Sequence, residues 1–299
     1  KMTRVPGLAV PIVALTFDTI QIPKIDAYAY RSAANYQFDR DSSGRTVVTV
    51  SQVNGVPDGT YYLTGNADKQ DYLCTGPSYA AGSCPAKICE GYSDYNSCFD
   101  YSGGTWSING KTMAPGVAWF KGNLSAGVGT YYNSFIATGN ITTAGANITK
   151  AVNYAGPGSS VVPKVDAVCI NSRFGSLYPL NFCTGTGGAT FVSNPPGNIA
   201  FAAGGMVGTT YVGGRIDLTA SNDVYGDVLA GDLVVTGGST TVHGVILATR
   251  QGSNTGNSGF GASTRIDLTN LPSTFHPGGD GPPTTNPPPS ARLLWSRYQ

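Results

Sequence analysis

Residues Val224–Ala248 read VYGDVLAGDLVVTGGSTTVHGVILA. One phrase occurs twice in that stretch. Val224-Tyr-Gly-Asp-Val-Leu-Ala230 returns as Val242-His-Gly-Val-Ile-Leu-Ala248, 18 residues on (242 less 224). Each copy alternates as a strand does. Val224, Val228 and Ala230 share one side, and Val242, Ile246 and Ala248 match them. Gly237, Gly238, Ser239 and Thr240, between the copies, are turn formers. Such an offset is close to one coil of a β-solenoid, where equivalent residues stack and alternate apolar side chains form an internal ladder. Two successive hairpins of a sandwich are the alternative, but a sandwich does not require the phrase to recur.

The pattern continues in both directions. Ile136–Thr149 (IATGNITTAGANIT) resembles Leu229–Val242 (LAGDLVVTGGSTTV) with small shifts: strand, glycine turn, strand. Rungs resume at Asn198, Tyr211–Leu218 and Asp223, and end near Arg265–Thr269. The expectation is an all-β chain with a β-solenoid-like (β-helix) body at 114–271, interrupted by a disulfide loop at 157–196. Residues 26–113 precede it as a β-rich, disulfide-stapled region. The chain also carries extended terminal arms, at 1–25 and, after a Pro/Gly linker at 272–289, at 290–299. No stretch combines helical periodicity with caps.

Composition agrees. Gly 41 in 299 residues is about twice the usual share, and charged residues are only 12%. A net charge of +1 gives no reason to expect nucleic acid or an anionic membrane as partner. Six cysteines fall in two loop-like clusters: Cys74, Cys84, Cys89 and Cys98, then Cys169 and Cys183. Fifteen pairings exist in principle; local pairing, 74–84, 89–98 and 169–183, is expected. Such bonds imply an oxidising compartment: the periplasm, the cell surface or the extracellular medium. A zinc site is the alternative, but the spacings are not those of C-x₂-C pairs and both histidines lie far off in sequence.

The N-terminal run KMTRVPGLAVPIVALTFDTIQIPKI is too short and proline-broken for a membrane span. It reads as an edge strand, as an arm that adds to a neighbouring subunit, or as the end of a longer precursor. The C-terminal SARLLWSRYQ is a short strand on a proline-rich leash. Leu8, Val10, Ile12 and Leu15 of the arm, with Leu293 and Trp295 of the tail, are the candidate assembly residues.

Chemistry is sparse. His243 takes the repeat position of Tyr225, so both are expected to face outward; His276 sits beside the linker. No G-x-S-x-G elbow or phosphate loop is present. Asp39-x-Asp41-x-Ser43-Gly44 imitates the start of a calcium loop, but Val50 stands where a bidentate Glu is needed, so a plain hairpin turn is expected. Asp217, Asp223, Asp227 and Asp232 could crowd one face as in polysaccharide-cleaving β-helices. No catalytic residue, metal or cofactor is assigned.

Pro115–Leu124 (PGVAWFKGNL), Thr138–Thr142 (TGNIT), the rungs of 222–248 and the terminal Leu294-Trp-Ser-Arg297 give this chain a family resemblance. It resembles type IV pilus-assembly proteins of the minor-pilin-like kind, with a segment similar to the bactofilin β-solenoid. The resemblance spans about 114–299 and implies a non-enzymatic, assembly-competent protein of the cell surface. Such pilus proteins begin with a long apolar helix that this sequence does not contain, so assembly would use the 1–22 arm or the tail.

The functional expectation is therefore a structural subunit of an extracellular filament, or a pilus-associated component, whose partners are copies of itself or other pilus subunits. The alternatives are a monomeric adhesin binding glycan through the tyrosines of 61–101, and a β-helix enzyme.

Overall fold

The computed structural model describes residues 24–65, 72–91, 98–155, 165–169, 174, 176–269 and 271. Strands dominate them, in three large sheets of ten, seven and five strands. The chain visits these sheets in the same order five times. The circuits begin at Gly116–Phe120, Asn133–Ala137, Ile199–Ala203, Asp227–Ala230 and Ile246–Ala248 in the ten-stranded sheet. The seven-stranded sheet follows with Asn123–Ala126, Ile141–Thr143, Ile216–Leu218, Val234–Thr236 and Gly259–Phe260. Gly129–Tyr131, Asn147–Lys150, Asp223–Tyr225, Thr241–His243 and Arg265–Ile266 then form the five-stranded sheet. Each strand pairs in parallel with its counterpart one circuit away. A chain with this connectivity winds as a three-sided coil.

The repeated phrase stacks on its own copy: Val224 on Val242, Tyr225 on His243, Val228 on Ile246 and Ala230 on Ala248. The longer resemblance is also a register. Ile136 pairs with Ala202, which pairs with Leu229; Ile141 reaches Val234 through Ile216; Thr149 reaches Val242 through Val224. The two segments lie two circuits apart in line, without the small shifts expected from sequence.

Inside, two neighbouring columns of the ten-stranded sheet exchange bulk. One runs Phe38, Phe120, Ala137, Ala203, Ala230; the other runs Tyr36, Ala118, Phe135, Phe201, Val228. Large residues give way to alanine in one column where the other turns large. That keeps the interior filled at constant width. Phe38 and Phe120 stack at 4.4 Å, and Phe135 and Phe201 at 6.0 Å.

The outer face of this sheet is buried too. Val117, Trp119, Ile136, Ala202 and Leu229 pack with Ala27, Tyr30, Val168, Tyr178 and Phe182. The insertion within 157–196 thus covers the sheet as well as interrupting the coil, together with a 3-10 segment, Ala27–Ala33. That segment corrects the expectation that the pattern is β from Asp26 onward. Asp26 caps it by accepting from Tyr28 N at 3.0 Å, and Trp119 Nε1 donates to Ala27 O at 2.8 Å. A sheet buried on both faces reads as a continuous apolar run rather than an alternation, which explains GVAWF and IAFAA.

Corners depend on glycine and on amide side chains. Gly226 has φ +129°, and a Cβ there would meet Ala151 Cβ at 2.7 Å and Asn198 O at 2.8 Å. At another corner, Asn147 Nδ2 donates to Gly127 O, Asn222 Nδ2 to Thr219 O and Thr240 Oγ1 to Thr219 O. These side chains satisfy carbonyls that turn away from the ladders.

The N-terminal region closes one end of the coil. Tyr36–Arg40 and Thr105–Ile108 pair in parallel with the first circuit, so two sheets and one apolar core run across residues 113 and 114. From these strands the sheets continue as antiparallel hairpins: Thr46–Val50, Gly59–Thr64, Tyr72–Cys74 and Ala86–Lys87 in one, Phe99–Ser102 in the other. The Asp39–Gly44 segment is a hairpin turn in which Asp41 accepts from Ser43 N and Arg45 N. Disulfides join Cys74 to Cys84, Cys89 to Cys98 and Cys169 to Cys183, the local pairs suggested by spacing. Among the described residues, no helix is long and apolar enough to cross a membrane.

Candidate assembly surface at the open end of the coil

The far end of the coil has no comparable covering among the described residues. Ile246–Ala248, Gly259–Phe260 and Arg265–Ile266 are the terminal strands of the three sheets, each paired on one side. Their side chains keep the register of the circuits beneath. Phe260 continues the column of Leu218 and Thr236, and Ile266 continues that of Val224 and Val242. Val224 and Val242 are 0% exposed, whereas Phe260 is 56%, Ile266 48% and Leu268 56% exposed. Ile246 and Ala248 are half-buried against the same core. The end is a cross-section of the core, rimmed by three strand edges.

The outer face of the five-stranded sheet carries a polar column ending at this rim. Lys150 pairs with Tyr225, and Tyr225 with His243. The Lys150 ammonium lies 4.8 Å from the Tyr225 centroid. His243 Nε2 is 3.3 Å from Asp223 Oδ1, and Nδ1 is 3.7 Å from Asp267 Oδ2. Arg265 Nη2 reaches Asp267 Oδ2 at 2.8 Å. The Thr269 hydroxyl and N–H bonded to Asp267, with the nearby Arg265 and His243, hold its carboxyl below the ordinary range. Burial, with the Asp223 carboxylate beside it, pushes the Tyr225 phenol up to about 12. Burial likewise lowers Lys150. This column braces the last circuits; no group of His, Cys, Asp or Glu among the described residues is arranged to hold a metal.

The four aspartates considered for hydrolysis do not share a face. Asp217 is on the seven-stranded sheet, paired with Arg215 Nε at 2.8 Å. Asp223 is on the five-stranded sheet. Asp227 and Asp232 are buried at corners, where Asp227 accepts from Val245 N and Asp232 from Asn254 N. Of the tyrosine cluster considered for glycan, Tyr62, Tyr72, Tyr79 and Tyr101 are half-buried, and Tyr92 and Tyr95 lie outside the described residues. Trp106 and Tyr61 are buried, and Tyr101 packs edge-on against Trp106 beneath Arg40. Three asparagines that open Asn-x-Ser/Thr triplets, Asn123, Asn140 and Asn147, are engaged in the coil. Asn147 donates to Gly127 O, Asn140 accepts from Arg215 N, and Asn123 accepts from Asn140 N.

Comparison with protein families, curated proteins and solved structures finds no match to this chain.

Leu8, Val10, Ile12, Leu15, Leu293, Trp295 and His276 lie outside the described residues. Phe260, Ile266 and Leu268 were not singled out from sequence. A signal for Ile266 and Leu268 existed: Arg265-Ile-Asp-Leu268 repeats Arg215-Ile-Asp-Leu218, and it closes the last recognisable rung.

Proposed function

We propose that this chain is a non-catalytic structural subunit of a cell-surface filament, or a pilus-associated component, that coheres through the open end of its coil. The observation that carries this reading is the exposure of Phe260, Ile266 and Leu268 beside three strand edges paired on one side only. Unpaired edges are templates for another chain, and contiguous apolar surface marks interaction sites. Three disulfides fit an oxidising compartment, as a surface component requires. Partners are copies of the chain or other pilus subunits. The 1–22 arm, with Leu8, Val10, Ile12 and Leu15, and the tail, with Leu293 and Trp295, lie outside the described residues and enter this reading as the segments whose deletion tests it. Tyr61 and Trp106 belong to the core and Tyr101 packs on it, which leaves Tyr62, Tyr72 and Tyr79 as the described tyrosines an adhesin would use.

Electron microscopy of the oxidised protein tests the reading. Uniform filaments are expected, and deletion of residues 1–22 should leave a folded protein that no longer polymerises. Filaments unchanged by the deletion remove the arm from the mechanism. Dispersed monomers under all conditions remove self-assembly.

A further inference from the structure

We propose that the open end is closed by a second copy of this chain, end to end, about a two-fold axis through Ile266. The proposal rests on reading this end as an association surface and names its partner.

Hydrogen-bond alternation is the first support. Arg265 N donates to Thr240 O at 2.9 Å and Asp267 N to Val242 O at 2.8 Å, both toward the body. In a strand, one residue's N–H and C=O point to the same side and the next residue's to the other. Ile266, between them, therefore directs both groups outward along the open edge. An antiparallel copy centred there exchanges two N–H···O bonds, Ile266 to Ile266.

Charge is the second. The same register sets Arg265 opposite Asp267 of the second copy, and Asp267 opposite its Arg265. The tripeptide Arg-Ile-Asp is its own complement when paired antiparallel. Arg265 is 68% exposed and Asp267 9%, and the two are already paired at 2.8 Å within the strand, so across the axis the charges form one shared group of four. Opposite charges directly across an antiparallel pair stabilise it.

Closure is the third. Among the described residues, antiparallel hairpins continue two of the three sheets at the other end of the coil, so head-to-tail stacking meets no comparable open cross-section there. A like-with-like contact uses the same end twice, which is the symmetry of an isologous dimer. The axis exchanges the other two faces, bringing Phe260 of each copy over Ile246 and Ala248 of the other. The proposed filament is then built from dimers joined by different contacts.

Sedimentation velocity on the full oxidised chain, over a wide concentration range, tests this. A dimer is expected. Arg265→Glu should weaken it by about tenfold or more, through like charges set opposite each other. Asp267→Arg should do the same, and the double variant R265E/D267R should restore the dimer. Thermal melts show that each variant is folded, and restoration by the double variant excludes simple misfolding. A monomer at every concentration overturns the proposal, as does a dimer indifferent to Arg265→Glu. A dimer that forms only after truncation beyond Leu271 also overturns it, because the chain's own tail then occupies the end. Dimers without filaments leave this inference standing and sink the filament reading; filaments without the dimer do the reverse.

Discussion

Tyr225 and His243 stand 18 residues apart in the chain (243 less 225), yet their rings stack with centroids 4.1 Å apart and planes 8° from parallel. The stack is the outer counterpart of the apolar ladder within. It ties the third circuit to the fourth on the outer face of the five-stranded sheet. Replacing His243 with Ala should cost about 1 kcal/mol, and replacing it with Phe should recover most of that by keeping the stack. Denaturant midpoints measure both. An Ala variant as stable as the parent would mean the stack contributes nothing.

Trp119 joins the coil to its covering. It is fully buried, donates to Ala27 O at 2.8 Å and lies beneath the Arg31 guanidinium. Trp119→Ala should cost about 3–5 kcal/mol through the cavity it leaves. Trp119→Phe removes mainly the hydrogen bond and some volume, and should cost markedly less. Equal losses in calorimetry would show that the ring's bulk is not what matters.

Two glycines separate steric crowding from backbone strain. Gly226 has φ +129° and atoms within 2.7–2.9 Å of an added Cβ, whereas Gly103 has φ +55° and nothing within 4 Å. Gly103→Ala should cost about 1–2 kcal/mol, the left-handed penalty alone. Gly226→Ala should cost more, because backbone as well as a side chain must shift. The order of the two melting temperatures decides it.

Acid should loosen the last circuit. The carboxyl of Asp267 titrates below its ordinary value of 3.8 because Thr269 donates to it, with Arg265 and His243 nearby. A depressed folded pKa contributes stability above the unfolded value, and that contribution is lost as pH falls through the folded value. The loss should therefore appear below about pH 4, and Asp267→Asn should flatten that part of the profile. At the other extreme, the Tyr225 phenol is raised to about 12, so its contribution is complete below pH 10 and lost between about 10 and 12. Melting temperature against pH, for the parent, Asp267→Asn and Tyr225→Phe, reads both limbs.

The Cys169–Cys183 bond spans a sequence separation of 14 within the covering insertion. Replacing both cysteines with Ser should destabilise the chain by about 3 kcal/mol, chiefly by freeing the unfolded loop. Hydrogen exchange should rise first over 176–198 and along the outer face of the ten-stranded sheet. Exchange confined to other regions would show that the insertion is held by packing alone.

Much of the coil was legible in sequence because its repeat is written there. Val224 and Val242, or Tyr225 and His243, carry matching residue types since stacked positions face the same surroundings. The stack of Ile136–Thr149 on Leu229–Val242 was only partly legible, because a third circuit and the 157–196 insertion separate them. The burial of Trp119 was not legible. It depends on Ala27–Ala33 and on the 157–196 insertion folding over a sheet far away in sequence.

Arg215–Leu218 and Arg265–Leu268 mark where sequence stops. The tetrapeptides are identical, and in each the arginine reaches the aspartate two residues on. Period-two alternation therefore determined which side chains share a face in both. Yet Ile216 and Leu218 are 0% and 1% exposed, whereas Ile266 and Leu268 are 48% and 56%. Only the tertiary structure decided that difference. A circuit stacked above removes Ile216 and Leu218 from water, and the last circuit of the described coil has none above it.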